Sequence, residues 1–190
     1  MKYTPYGGCQ AIAYQDIEMK NIILVIVLLL LLGLVYLSFT GSKMQTIQTE
    51  IDIEAPPEKV WSIISEVDKW HEWSPTINAS EGKAEIGSVV SITMMSKEPG
   101  KDGPKYNPEI IQMEEPTYFH WRAHMMAGFI FTNEKIIELE KTESGTKVIH
   151  KETFKGLMAA AMKGQMEKGV SPMLNMMNDA LKKLAEEKSP

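Results

Sequence analysis

The sequence predicts an α+β domain in which a curved antiparallel sheet wraps around a long C-terminal helix, with two short helices after the first strand and one transmembrane helix near the N-terminus. Three observations predict this class. Residues 46–53 alternate apolar and polar side chains, residues 77–155 contain short β-like runs separated by turn residues, and residues 157–187 carry apolar side chains at helical spacing. This order of elements is typical of α+β folds.

The apolar segment lies between Lys20 and Lys43, where 22 residues carry no charge. At about 1.5 Å per residue this helix spans ~33 Å, which matches a hydrocarbon core of roughly 30 Å. We therefore predict a transmembrane helix at residues 21–42. The alternative is a cleaved signal peptide that starts at Met19 rather than Met1. Against it, the apolar run exceeds the usual ~7–15 residues and no A-x-A cleavage site follows.

The segment divides the chain into a short N-terminal tail, residues 1–20, and a folded domain, residues 45–188. Lys2 and Lys20 precede the segment, whereas Lys43 follows it closely. This excess of positive charge favours a single-pass protein with an internal N-terminus and an extracytoplasmic domain. Because only a few residues join the segment to the first strand, we expect the domain to lie close to the bilayer surface.

Two short helices are predicted after the strand at residues 46–53. Proline in the first turn at Pro57, followed by the apolar residues Val60 and Trp61, indicates a short amphipathic helix. A second brief helix is predicted at residues 68–73 and ends before Pro75.

The meander and the last helix follow. Strands are predicted at residues 77–83, 88–96, 105–113, 117–125, 129–140 and 146–155. After Gly156, apolar side chains recur at spacings of three or four, from Met158, Met162 and Met166 through Val170, Met173 and Met177 to Leu181 and Leu184. One long helix is expected, with a kink at Pro172 because proline lacks an amide hydrogen.

Composition excludes several function classes. The roughly 150 residues after the apolar segment suit one domain. A net charge of −5 with interspersed acids and bases indicates no nucleic-acid partner, and Cys9 as the single cysteine excludes an intramolecular disulfide and a cysteine-rich zinc site. No P-loop, GxGxxG, HExxH or GxSxG motif is present, so the sequence indicates no cofactor; it indicates no oligomeric state either.

Several motifs resemble one known family. They are Ala55-Pro56-Pro57-Glu58-Lys59-Val60-Trp61, Val67-Asp68, Trp73-Ser74-Pro75, residues 145–157 and Asn178-Asp179-Ala180-Leu181-Lys182. Together they resemble the SRPBCC superfamily, and specifically its polyketide cyclase/dehydrase-like branch. The resemblance implies a START-like helix-grip fold, with a deep cavity between the sheet and the C-terminal helix that holds lipids, polyketides or sterols. It implies no shared catalytic residues.

Polar residues are predicted on the inner face of the hairpin formed by the last two strands. Alternation places Phe129, Phe131, Asn133 and Lys135 inward on one strand, and His150 and Glu152 inward on the other. A four-residue loop at 142–145 would put Lys135 opposite Glu152. These residues either orient a polar head group or transfer a proton, with Lys135, His150 and Glu152 as the catalytic candidates, or form a structural ion pair with a hydrogen-bonded histidine.

Other candidates have similar alternatives. Trp70 and Trp73 either gate a cavity or belong to the core, Trp121 is a candidate cavity wall, and Met158, Met162 and Met166 either pack as core or line an adaptable pocket. His120 and His124 are predicted to be surface residues. Because four strand residues span ~13 Å, this pair cannot share one zinc, and no metal site is predicted.

Three functions remain. The first is a membrane-anchored protein that binds an apolar or amphipathic small molecule, such as a lipid, an isoprenoid or a polyketide-like compound. The second is a cyclase or dehydrase that uses His150 and Glu152. The third is an interaction module with a vestigial cavity. A void of about 300 Å³ or more is expected for the first two and absent for the third.

Overall fold

A computed structural model describes residues 7–41, 44–96, 98, 100–125 and 127–187. The chain divides into two compact units, an N-terminal helix and a C-terminal domain. Residues 1–6, 42 and 188, which belong to the predicted tail, transmembrane segment and domain, lie outside the described residues.

The N-terminal unit is helix α1, Gly7–Gly41. It therefore begins well before residue 21, so part of the predicted tail is helical. Its stretch Met19–Tyr36 has a mean hydropathy of 2.5 and is exposed throughout, which makes it long and apolar enough to cross a membrane. A signal sequence would have the same length and composition.

The C-terminal unit has the predicted order of elements. In chain order these are β1 Gln45–Ile53, α2 Pro57–Ser65, a 3₁₀ turn Val67–Lys69, α3 Trp70–Trp73, β2 Ile77–Glu81, β3 Ser91–Met95, β4 Asp102–Tyr106, β5 Glu109–Glu114, β6 Tyr118–Met125, β7 Phe131–Lys141, β8 Thr146–Lys155, α4 Leu157–Ala161 and α5 Lys163–Glu186. The predicted α+β class is confirmed.

The strands form two antiparallel sheets, where the sequence predicted one. The five-stranded sheet has the order β1-β8-β7-β6-β5, and the three-stranded sheet has the order β2-β3-β4. The strand predicted at residues 105–113 is divided between them at Pro108, which restricts the preceding residue and has no amide hydrogen for a ladder. Backbone hydrogen bonds from Val90 to the Pro108 carbonyl, 2.9 Å, and from Ile110 to the Ser88 carbonyl, 2.9 Å, join the sheets at this point.

The predicted register of the β7–β8 hairpin is confirmed. Lys141 pairs with Thr146, and counting back along the strands places Lys135 opposite Glu152. The alternation of charged and apolar residues sets this register because a slip by one residue would turn the polar pair to the outer face.

The C-terminal helical region differs from the single kinked helix that was predicted. It is interrupted at Met162, where φ is −102° and ψ is 9°, and α5 continues through Pro172. The short helix α4 is held separately, because the Met158 amide donates to the Ile130 carbonyl at 3.0 Å, just before β7. Packing at this junction therefore decides where the helix breaks.

The core is densest at one end of the domain. Trp70 contacts Phe119 and Trp121 at ring-centroid distances of 5.7 and 5.0 Å, and all three side chains are buried. On the other side of this cluster lie Met177 and Leu181 of α5, which belong to the same core. Aromatic packing therefore fills the space between the sheet and the helix at this end.

The junction between β8 and α4 requires glycine, which yields a first prediction. Gly156 has φ +113°, and a Cβ there would lie 2.5 Å from the Ile130 carbonyl oxygen. We expect Gly156→Ala to lower the free energy of unfolding by about 2 kcal/mol or more, because strained backbone and a backbone clash combine. Guanidinium unfolding followed by tryptophan fluorescence measures this change, since Trp61, Trp70, Trp73 and Trp121 all lie in the C-terminal unit.

Gly164 provides the matched control. It lies in the first turn of α5, and a Cβ there would have no neighbour within 4 Å. Gly164→Ala should be neutral or should stabilise by up to about 1 kcal/mol. Equal effects of the two substitutions would contradict the assignment of strain to Gly156.

Candidate functional site

An apolar cavity of about 250 Å³ opens between the two sheets and α5. Its walls come from both sheets and from the helix. They comprise Met94, Pro104, Tyr106, Ala123, Met125, Phe131, Asn133, Glu152, Phe154, Val170 and Met173. The polar groups among these walls are the Asn133 amide, the Glu152 carboxylate and the Tyr106 hydroxyl, from β7, β8 and β4.

A second, smaller void lies deeper, beside the aromatic core. It holds about 10 Å³, room for one water-sized group, and it shares Met94, Tyr106, Glu152 and Met173 with the outer cavity. Trp121 and Lys135 line only this inner void. The site therefore narrows from an apolar outer cavity to a polar inner end.

A buried ion pair forms the inner end. The Lys135 ammonium lies 2.7 Å from Glu152 Oε1, and both side chains are less than a tenth exposed. Asn133 donates to the other carboxylate oxygen of Glu152. Because an unpaired charge at this depth would be strongly unfavourable, the pair is a condition for folding as well as a feature of the cavity.

His150 connects this pair to the C-terminal helix. Lys135 Nζ lies 2.7 Å from His150 Nε2, and an ammonium only donates, so Nε2 accepts and the ring proton is assigned to Nδ1. Nδ1 then donates to Asn178 Oδ1 at 2.9 Å, and Asn178 donates to Thr49 Oγ1 at 3.0 Å. The chain of bonds thus joins β7, β8, α5 and β1.

Burial sets the protonation of the groups around the ion pair. It lowers the pKa of His150 well below the usual 6.5, and the positive charge of Lys135 lowers it further, while the bond to Asn178 acts in the opposite direction. Burial raises the pKa of Tyr106, with a smaller contribution from Glu152. At neutral pH the imidazole and the phenol are therefore both uncharged.

The sequence identified part of this site. Phe131, Asn133 and Glu152 line the outer cavity, and Trp121 and Lys135 line the inner void, as the predicted inward faces of the strands require. His150 does not line either space, which corrects the prediction of a cavity residue. It is 1% exposed because Lys135 and Asn178 occupy its two ring nitrogens.

The tryptophan predictions need a second correction. Trp70 is fully buried, and its indole donates to the Ile64 carbonyl at 3.0 Å, so it belongs to the core and does not gate the cavity. Trp73 lines a separate surface groove with Pro75 and Leu184. Both side chains belong to α3, and neither lines the cavity between the sheets and α5.

A third correction concerns Phe129 and the helical methionines. Phe129, Met158 and Met162 are 71%, 37% and 39% exposed and do not line either described cavity. Met166 packs in a small buried cluster with Phe154. The cavity face of α5 comes from Val170, Met173 and Met177, which continue the predicted apolar stripe beyond the break at Met162, and from Leu174.

Two residues of the network, Asn178 and Thr49, were not predicted as site residues. A signal for Asn178 existed, since it follows Leu174 by four positions and therefore lies on the apolar face of the helix. Thr49 carries a comparable signal, since it lies between Ile47 and Ile51 at the inward positions of the first strand.

The two histidines of β6 lie on the sheet face away from this site. His120 is mostly buried, which corrects the prediction of a surface residue, and its Nε2 lies 3.5 Å from Glu134. His124 is exposed, and its Nδ1 lies 3.0 Å from Thr132 Oγ1. No cluster of three or more metal-ligating side chains occurs among the described residues.

The buried pair yields a second prediction. Lys135→Met leaves the Glu152 carboxylate uncompensated, so we expect it to cost about 3–5 kcal/mol of unfolding free energy. The double variant Lys135→Met/Glu152→Gln should lose less, because no buried charge then lacks a partner. Guanidinium unfolding of each variant measures these differences.

The exposed pair Lys69–Glu66 is the matched control, with an N–O distance of 2.8 Å and side chains about half exposed. Lys69→Met should change stability far less than Lys135→Met, because solvent screens the exposed pair. If Lys135→Met lowered the free energy of unfolding as little as Lys69→Met does, the inner ion pair would be solvated.

His150 yields a third prediction. Because its folded pKa is lowered, the unfolded chain takes up a proton below pH 6.5 that the folded chain does not, and stability falls as the pH decreases from 7.5 to 5.5. One such proton contributes at most about 1.4 kcal/mol per pH unit. His120, whose pKa burial also lowers, adds in the same direction.

Unfolding free energies measured across this range should fall less steeply for His150→Gln than for the unchanged chain. Glutamine can still accept from Lys135 and donate to Asn178, so the variant separates titration from packing. His124→Gln, at an exposed histidine, is the control substitution. Identical slopes for the His150 variant and the unchanged chain would exclude a buried neutral His150.

Known proteins share this architecture. Protein MLL2253 from Mesorhizobium loti is 17% identical with a TM-score of 0.60, over 77% of this chain and 100% of that one. Norcoclaurine synthase from Thalictrum flavum is 16% identical with a TM-score of 0.61, over 80% and 92%. The di-domain ARO/CYC BexL from the BE-7585A biosynthetic pathway is 13% identical with a TM-score of 0.62, over 82% and 54%. At these identities the likeness shows the fold alone.

A search of curated protein sequences found no match. The profile of the family described as polyketide cyclase / dehydrase and lipid transport matches residues 44–186, which include the whole site. Since the profile covers three quarters of the sequence, and since the sheet, the closing helix and the cavity have the helix-grip arrangement, the chain belongs to the polyketide cyclase/dehydrase and lipid transport family.

Proposed function

We propose that this protein is a membrane-anchored binding protein for an apolar or amphipathic small molecule, such as a lipid, an isoprenoid or a polyketide-like compound. The observation that carries the proposal is the apolar cavity of about 250 Å³ that ends at the buried pair Lys135–Glu152. Apolar walls with a few polar groups at one end are typical of small-molecule sites. The family description, which includes lipid transport, supports the same class of ligand.

The cavity of about 250 Å³ is smaller than the void of about 300 Å³ that was expected for a ligand site. Because the cavity is open at its outer end, a long ligand extends beyond the enclosed volume. A vestigial interior would instead be filled by side chains, as it is around Trp70 and Phe119. The hollow beside the filled core therefore favours binding over a purely structural role.

The apolar helix α1 supports the membrane part of the proposal. Its exposed stretch Met19–Tyr36 is suited to a lipid environment, and we propose that it remains attached as a single-pass anchor with the domain on the extracytoplasmic side. Attachment to a bilayer keeps a binding domain near the phase in which apolar molecules accumulate.

A cyclase or dehydrase activity receives less support from the site. His150 is enclosed and both of its ring nitrogens have partners, so it has no direct access to a ligand in the cavity. Glu152 does line the cavity, but its two oxygens accept from Lys135 and Asn133. Both oxygens are therefore engaged within the protein, and an ordered polar end of this kind suits binding.

The fourth prediction tests the proposal by filling the cavity. Met173 lines both the outer cavity and the inner void, so Met173→Trp should occupy the space that a ligand needs. The full chain in lipid nanodiscs should bind N-phenyl-1-naphthylamine, an uncharged apolar fluorophore, and the variant should bind it at least about tenfold more weakly. Mass spectrometry of lipids retained after native purification provides a second measurement.

Met176 lies three residues further along α5, is 49% exposed and does not line either described cavity. Met176→Trp is therefore the matched control and should bind the fluorophore like the unchanged chain. Empty nanodiscs give the background from the bilayer. If the unchanged chain binds no more fluorophore than empty nanodiscs and retains no lipid, the proposed function is wrong.

A further inference from the structure

Two buried hydrogen-bond donors at the inner end of the site lack a strong acceptor among the described residues. The Lys135 ammonium has three N–H groups, of which Glu152 and His150 accept two. The atom nearest the third is Met177 Sδ at 4.0 Å, a weak acceptor. One donor of the buried ammonium is therefore without a strong acceptor in the described part of the chain.

A second donor lies beside the first. Trp121 is 1% exposed and lines the inner void, and its indole N–H has no acceptor among the described residues. The Lys135 ammonium lies 5.8 Å from the centre of this indole ring. Buried indole N–H groups ordinarily have a partner, so this unpaired group points to an acceptor that the chain itself does not supply.

We propose that the inner void receives a neutral carbonyl oxygen of the ligand, which accepts from Lys135 and from Trp121. This inference rests on the proposed function and names the chemical class of the ligand: a long-chain ketone, aldehyde or similar carbonyl compound that enters with its oxygen first. The void of about 10 Å³ has room for one oxygen atom, while the alkyl part lies in the outer cavity.

Charge excludes ionised head groups. A carboxylate brings a second negative charge next to Glu152, whose charge Lys135 already compensates. A protonated amine brings a second positive charge next to the Lys135 ammonium. A carbonyl oxygen adds two acceptor positions and neither a charge nor a proton.

The fifth prediction compares ligands of equal chain length. With the full chain in nanodiscs, displacement of N-phenyl-1-naphthylamine should show 2-tridecanone binding about tenfold more tightly than tridecane, tridecylamine and tridecanoate, after subtraction of the signal from empty nanodiscs. Isotope-edited infrared spectra of 2-tridecanone labelled with ¹³C at the carbonyl should show a lower stretching frequency in the site than in lipid, because hydrogen bonds weaken the C=O bond.

Two tryptophan variants test the donor directly. Trp121→Phe keeps an aromatic ring but removes the N–H, so it should reduce the preference for 2-tridecanone over tridecane about fivefold and raise the stretching frequency. Trp73→Phe is the matched control, since its indole N–H is also without an acceptor among the described residues but lines a different groove. It should change neither quantity.

The outcomes separate this inference from the proposed function. If tridecane and 2-tridecanone displace the fluorophore equally well, or if the carbonyl frequency equals that in lipid, the inner end does not recognise a carbonyl, while binding itself stands. If no compound and no fluorophore bind, the proposed function fails first. The infrared measurement on the unchanged chain decides the question even where Trp121→Phe does not fold.

Discussion

One buried ammonium group, that of Lys135, constrains the rest of the domain. A charge taken out of water costs several kcal/mol unless partners compensate it, and here Glu152 and His150 are those partners. They come from the neighbouring strand, while Asn178 comes from the closing helix. The register of the hairpin and the position of α5 are therefore both fixed by the requirement that this charge be satisfied.

The same group divides the interior into two parts. On one side, Trp70, Phe119 and Trp121 pack into a continuous aromatic core, which supplies the stability of the fold. On the other side, the walls leave the space empty. A protein of this length can leave part of its interior unfilled only if the remaining core is dense and its polar groups are paired.

Much of the fold and the polar end of the site could be predicted from the sequence, because strand alternation is a local signal. The inward positions of Lys135 and Glu152 follow from which residues of the hairpin can face water, and the structure has that pairing. Features that depend on contacts between distant segments were not predictable in the same way. The helix is interrupted at Met162, and the hydrogen bond from the Met158 amide to the Ile130 carbonyl that holds α4 leaves no mark in the sequence pattern. His150 has the predicted direction, but Asn178 encloses it, and strand alternation does not indicate a contact between residues 28 positions apart.

The two ends of the hollow differ in stiffness. Lys135, Glu152 and Asn133 form a polar end held by an ion pair and a hydrogen bond, whereas Met94, Met125 and Met173 in the walls have unbranched side chains with several low-energy shapes. Because its polar end is fixed, such a pocket selects ligands by the chemistry of one terminal atom. Because its methionine side chains adapt, it tolerates wide variation in the size and branching of the rest of the ligand. Selectivity in such a pocket evolves by exchanging single polar side chains, without rebuilding the wall.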